Sequence, residues 1–291
     1  MNAFVIYKQS RYMLMMVEGL LQNGMKVSAT NQAFHLGKPL IEDVRSFDTV
    51  SKTDLIFMPS LSHFYEEDVY REITRRDLWR NVVYCDYRDE GEIDRGHLSK
   101  VRVYVRRSPT EFSKPLIVPY GAFSSYFHFE NENVVRNIQI SYLFDSFGRN
   151  CDYRKLVGEW LDEWCGTNEK WIRRKTTNRS GRVRLFDPPQ NNSYLEYLKI
   201  LKRSKNVVTV PPDHGGGDHR TWEALASGAT IIYPGSYRIS GVQPNLHYLP
   251  FESKKGLFYN LTRERDSSFV SDFIRNNHTS KHRVLKILNQ V

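Results

Sequence analysis

The 291-residue sequence lacks any apolar run of transmembrane length, which excludes a helical membrane span. A leader peptide is not expected either. The first residues, MNAFVIYKQSRYMLMM, break their apolar run with Lys8, Gln9, Ser10 and Arg11. A secretory signal would place its charge before the apolar segment and end in a small-residue cleavage site. Cysteine is scarce: Cys85, Cys151 and Cys165 are odd in number and have no metal-ligand spacing. They suit a reduced, cytoplasmic setting, and no role is assigned to them. No repeat of short period is present, and 40% hydrophobic residues with 13% aromatics exclude wholesale disorder. The length suits one large domain or two of ordinary size.

Acid is the other deficit, and it is local. The formal net charge is +9, yet residues 1–130 hold equal numbers of basic and acidic side chains. The whole excess therefore lies in residues 131–291. Lys170–Arg184, KWIRRKTTNRSGRVR, carries seven basic residues and no acid. Such a block suits an anionic partner (phosphate, nucleic acid or an acidic glycan) or a solvated basic loop, and charge alone does not separate the two.

What is present is an alternation of short apolar strands and amphipathic helices. Ala3–Tyr7 reads as a strand, Arg11–Leu21 as a helix stopped by Gly24, and Lys26–Thr30 as a second strand. Asp54–Met58, Asn81–Tyr84, Val101–Val105 and Leu116–Val118 extend this first sheet, with Tyr65–Leu78 as a helix. Pro119–Asn133 is the candidate linker. A second set follows: strands at Asn137–Phe144, Val183–Phe186, Asn206–Val210 and Ala229–Tyr233, helices at Tyr153–Trp164 and Tyr194–Ser204. Asn245–Leu249 is a candidate short strand, and Ser267–Val291 reads as largely helical. This predicts an α/β chain of two Rossmann-like α/β/α domains facing an interdomain cleft. The expected divisions are 1–130, 131–270, and a C-terminal helix at 271–291 packing back on the first domain.

One stretch stands out, Asp213–Gly235, DHGGGDHRTWEALASGATIIYPG. Gly215, Gly216 and Gly217 lack Cβ and let backbone N–H groups approach a ligand closely. Asp218 is a candidate N-cap for a helix beginning at His219, and Gly228 suits its C-terminal stop. A glycine loop feeding a helix N-terminus is a ready anion site. Arg220 and Glu223 share one helical face; the plainer reading is an exposed i,i+3 ion pair worth about 0.2–0.5 kcal/mol. Trp222 points elsewhere and is expected in the core.

The pattern G-x-D-x-R-x-W-E-A-L-x-x-G, set between two strands, resembles the donor-binding helix of GT-B glycosyltransferases. It is similar to their exostosin-like and ribitol-xylosyltransferase-like branch. The Arg220-Thr221-Trp222-Glu223 core also resembles the phage β-glucosyltransferases that modify hydroxymethylated DNA. Ser146-Phe147-Gly148-Arg149, with Arg154 further on, resembles the arginine-bearing loop with which the phage enzymes contact the donor diphosphate. Asp86-Tyr87-Arg88 matches their Asp-x-Arg after an apolar strand. The resemblance implies a GT-B fold and a nucleotide-sugar donor, with a UDP-sugar favoured over a GDP-sugar and no metal or other cofactor required. It implies donor contacts from Arg149, Arg154, Gly215, Gly216, Gly217 and Arg220, and a ribose-binding carboxylate in Glu223.

The acceptor hydroxyl needs a general base. Asp86 is the first candidate and Asp89 the second; a solvated acidic turn is the alternative, and His63 is another candidate base. Pro188 is a candidate for the base pocket from its position. Arg11, Arg173, Arg174 and Lys175 are candidate acceptor or anion contacts. Asp213, His214, Asp218 and His219 have metal-binding residue types, but their spacing matches no ligand motif. The expected function is transfer of a sugar to an acceptor hydroxyl, with inversion. A glycan or glycolipid acceptor is favoured, duplex DNA bearing hydroxymethyl groups is the alternative, and a peripheral contact with an anionic membrane would suit the charge. A non-catalytic nucleic-acid-binding α/β protein would keep the basic block but need neither Arg220 nor Glu223.

Overall fold

The computed structural model describes residues 1–7, 10–35, 38–41, 43–60, 67–87, 93–108, 110, 112–127, 134–142, 151–166, 191–211, 217–263 and 265–291. The chain divides into two compact units, Met1–Phe123 with His278–Val291, and Ser124–Asn277. Among the described residues, no helix is long and apolar enough to cross a membrane.

The first unit begins with strand β1 (Asn2–Val5), helix α1 (Arg11–Gln22) and strand β2 (Lys26–Ala29). Ser10 caps α1, its hydroxyl accepting the N–H groups of Tyr12 and Met13. A small antiparallel pair follows, β3 (Phe34–His35) and β4 (Lys38–Pro39). Then come β5 (Leu55–Pro59), α2 (Glu67–Arg75), β6 (Val82–Asp86), α3 (Arg95–Leu98), β7 (Val103–Arg106) and β8 (Leu116–Ile117). The six strands other than β3 and β4 form one parallel sheet in the order β2-β1-β5-β6-β7-β8. Central strands of such a sheet are covered on both faces, and β5 (LIFMP) and β6 (VVYCD) are accordingly buried at every position. Phe4, Ile56, Met58, Leu78, Trp79 and Tyr84 belong to the core on one side.

The second unit carries β9 (Ile138–Tyr142), α4 (Cys151–Gly166), α5 (Asn191–Arg203), β10 (Ser204–Val208) and α6 (His219–Ala226). It continues with β11 (Thr230–Pro234), β12 (Tyr248–Phe251), α7 (Lys254–Thr262) and α8 (Ser268–Asn277). Its sheet is parallel, in the order β12-β11-β10-β9. Ile140, Val157, Leu161, Val208, Ile232 and Leu249 lie in its core.

Several local expectations change. Strand β10 starts directly at Ser204, whose hydroxyl donates to Ile200 O (2.7 Å) and lies 2.9 Å from the Ser141 hydroxyl, so that one side chain touches both the last turn of α5 and β9. Helix α7, capped by Ser253 on the N–H of Gly256, was not expected. The expected strand at Val183–Phe186 lies outside the described residues. Part of the expected linker is structured: Phe123 is buried, and Ala122 bridges to Thr279. The helical stretch after Ser267 is two helices, α8 and α9 (Ser280–Leu288), parted where Thr279 exchanges hydrogen bonds with the His282 ring.

Helix α9 returns to the first unit and packs on α1. Asn23 Nδ2 donates to Lys281 O at 2.9 Å, and Arg283 Nε to Tyr120 O at 3.1 Å. Burial pushes the Arg283 guanidinium down to about 10, so it stays charged at neutral pH. Gly19 makes the close approach possible: a Cβ there would stand 2.3 Å from Ser280 O and 2.4 Å from Val284 Cγ2. In an open helix, Gly→Ala would stabilise by roughly 0.5–1 kcal/mol. Here the clash outweighs that gain, and Gly19→Ala should lower stability by about 1–3 kcal/mol in urea unfolding. An unchanged or raised midpoint would show that α1 and α9 are not packed this closely.

Candidate functional site

Strands β9, β10 and β11 run parallel, so their carboxyl ends share one edge of the second sheet, the edge where open α/β sheets bind ligands. From β10 the chain passes through Thr209, Val210 and Pro211, and it re-enters the described residues at Gly217 before α6. Gly217 has φ +79°, a conformation costly for any residue with a Cβ. A Cβ there would also stand 3.3 Å from Trp222 Nε1. Asp218 is the N-cap of α6: its Oδ1 accepts the Thr221 N–H (3.0 Å) and hydroxyl (2.8 Å).

Arg154, from α4, ties the two stems of this loop together. Its Nε and Nη2 donate to Val210 O at 3.0 and 2.7 Å, and Nη2 lies 3.8 Å from Asp218 Oδ2. The side chain is 3% exposed, so a charge costly to bury is compensated by a carbonyl before the loop and a carboxylate after it. Arg154 thus links a residue before the loop to the one that caps α6; the sequence suggested a donor contact for it.

Glu223, one turn into α6, is 1% exposed. It is not half of an exposed surface pair. Oε1 accepts from the hydroxyls of Tyr194 (2.7 Å) and Tyr126 (3.3 Å), and Oε2 from that of Tyr197 (2.7 Å). Burial, and then the Glu223 charge, raise the Tyr197 hydroxyl well above its usual range, so it remains a donor. The three tyrosines fix the direction of the carboxylate. Sequence reading missed them; the only signal was that Tyr194 and Tyr197 fall three apart on one helix. Arg220 is half-buried on the first turn of α6, and Trp222 is fully buried in the core.

In the first unit, Asp86 is the last residue of β6 and is wholly buried. Its Oδ2 accepts the Tyr104 hydroxyl (2.7 Å) and lies 3.2 Å from Arg106 Nη1, itself 1% exposed. Asp86 is therefore an internal counter-ion rather than part of a solvated acidic turn. Arg11 is half-buried on the first turn of α1, at the carboxyl end of β1. Asp89, Arg149, Gly215, Gly216 and Pro188 lie outside the described residues, as do Arg173, Arg174, Lys175, His63, Asp213 and His214. Among the described residues, no group of three or more His, Cys, Asp or Glu side chains could hold a metal ion.

No protein-family model and no curated protein matches this chain. Solved structures do. The chain's α/β fold of parallel sheets is similar to that of two of them. A glycosyltransferase from Rickettsia africae aligns with TM-score 0.56 at 10% identity, over 99% of this chain and 97% of that one. HepE from Anabaena, solved in complex with UDP, aligns with TM-score 0.53 at 9% identity, over 99% of each chain.

The clamp makes a stability prediction. Arg154→Leu leaves Asp218 without its cation and should cost about 3 kcal/mol or more in denaturant unfolding. Arg154→Lys should recover only part of this, since an ammonium lacks the forked contact to Val210 O. Wild-type stability in Arg154→Leu would refute the clamp.

Proposed function

We propose that the chain is a GT-B glycosyltransferase that moves a sugar from a nucleoside diphosphate to the hydroxyl of a glycan or glycolipid acceptor. The observation that carries this reading is the α6 entrance: a loop with its stems clamped by Arg154, a helix N-terminus, and Glu223 held in one direction a turn later. The fold likeness to a glycosyltransferase and to HepE, which was solved with UDP, supports it and favours a UDP-sugar donor.

In this reading the loop's N–H groups and the positive end of α6 hold the diphosphate. Arg220 and Arg149 neutralise the charge that gathers as the sugar leaves. Glu223 accepts a ribose hydroxyl, with the tyrosines keeping both of its oxygens oriented. The acceptor oxygen attacks the anomeric carbon from the face opposite the diphosphate, giving inversion. The anomeric C–O bond breaks with its electron pair passing to the diphosphate, and a general base takes the acceptor's proton. No step requires a metal ion.

The base belongs to the acidic loop after β6. Sequence order put Asp86 first, but the buried pair with Arg106 suits Asp86 to anchoring the root of that loop. Asp89 then takes the base role. The reaction would run in the cytoplasm, with the basic excess of residues 131–291 favouring acceptors held at an anionic membrane surface.

Calorimetric titration with UDP tests the donor site. Arg220→Ala and Glu223→Ala should each weaken binding about tenfold or more. Unchanged affinity in both would sink the site assignment. Asp86→Asn should lose about 3–5 kcal/mol of stability by uncovering Arg106. Asp89→Asn should keep its stability and its UDP affinity while transfer falls; full transfer by Asp89→Asn would move the base elsewhere.

A further inference from the structure

A cavity lies at the opposite edge of the second sheet. The amino ends of β9, β10 and β11 gather there, away from the edge that carries the N-terminus of α6. Between these ends and the α7–α8 connection is an open cavity of about 530 Å³, within the size range of small-molecule sites. Four basic side chains line it: Arg136 ahead of β9, Lys205 in β10, and Arg263 and Arg265 after α7. Asp266 is the acid among its lining residues.

The floor is polar. Asn206 is buried and gives an amide N–H to Gln139 O at 3.2 Å, and the hydroxyls of Thr230 and Ser267 pair at 2.8 Å. An apolar ligand would find few partners there. The guanidinium groups are positioned largely by carbonyls. Arg136 donates to Lys202 O (3.1 Å), Ser204 O (2.6 Å) and Ser227 O (3.0 Å), and Arg265 donates to Leu246 O. Gly228 makes room for the Arg136 contact, since a Cβ there would stand 3.1 Å from Nη2. Arg263 lies over the Tyr259 ring at 5.7 Å. Asp266 commits Oδ1 to the N–H and hydroxyl of Ser268 at the start of α8.

Carbonyls fix the direction of a guanidinium but carry only partial charge, so the cluster keeps its positive field. Its members already feel one another. Burial, and then Arg263, lower Arg265; burial lowers Arg136 against a weaker pull from Asp266. A bound polyanion would favour the charged form of both.

We propose that this cavity binds a small phosphate ester, its phosphate among Arg136, Lys205, Arg263 and Arg265 and its remaining polar groups on the Asn206–Thr230 floor. The volume exceeds that of a lone phosphate, and several cations around one space favour a multiply charged group over a single carboxylate. The phosphate can belong to a soluble ligand or to a lipid headgroup. This assignment does not depend on the donor site.

The test is calorimetric titration of the full chain with inorganic pyrophosphate at low salt. The titration is made in an Arg220→Ala background, which weakens the donor site's share of the binding. Adding Lys205→Ala and Arg263→Ala, both at exposed positions, should weaken binding about tenfold or more. UDP binding should be unchanged when those two substitutions stand alone. Pyrophosphate binding that is absent, or equal with and without the two substitutions, overturns the proposal. Sedimentation with phosphatidic acid vesicles but not phosphatidylcholine vesicles, reversed by pyrophosphate, would assign the phosphate to a lipid headgroup. Pyrophosphate binding without vesicle capture would assign it to a soluble ester.

Discussion

A buried guanidinium needs compensation, and in the second unit that requirement organises the candidate site. Arg154 donates to Val210 O and faces Asp218. Those residues bracket the glycine loop. Asp218 also caps α6 through its other oxygen, so the carboxylate that meets Arg154 is the one that starts the helix. Glu223 extends the principle: a buried carboxylate is held by hydroxyls donated from α5 and from the turn at Ser124–Phe127.

The first unit repeats the theme with another pair. Asp86 and Arg106 face each other in register on β6 and β7, beside the wholly apolar strand β5. Removing either partner would strand the other charge, whereas an exposed pair could lose a partner at little cost. Buried ion pairs thus mark the carboxyl ends of strands in both units, where loops leave the sheets.

Much of the second unit could be read directly from residue order. The three glycines, the Asp218 cap, the burial of Trp222 and the stop at Gly228 follow from local rules, and the structure bears out those it describes. Partners set by strand pairing or by distant helices could not be read in that way. That Asp86 faces Arg106 depends on the β6–β7 register, and that Glu223 meets Tyr126 depends on how residues far apart in sequence converge. Helix α7 escaped because Gly256 sits in its first turn and its apolar residues form no clear stripe. The pairing of Ser204 with both α5 and β9 moved a boundary that periodicity alone puts later.

The return of α9 has a consequence for how the protein is made. The first unit is discontinuous: it takes its last helix from residues that follow the whole of the second. A nascent chain can complete Ser124–Asn277 while α1 still waits for the surface that covers Gly19. At ordinary translation rates that wait lasts on the order of ten seconds or more, with apolar residues of α1 uncovered. The unit that begins synthesis first is the one that finishes folding last, so truncation at the C-terminus should damage the N-terminal half of the protein.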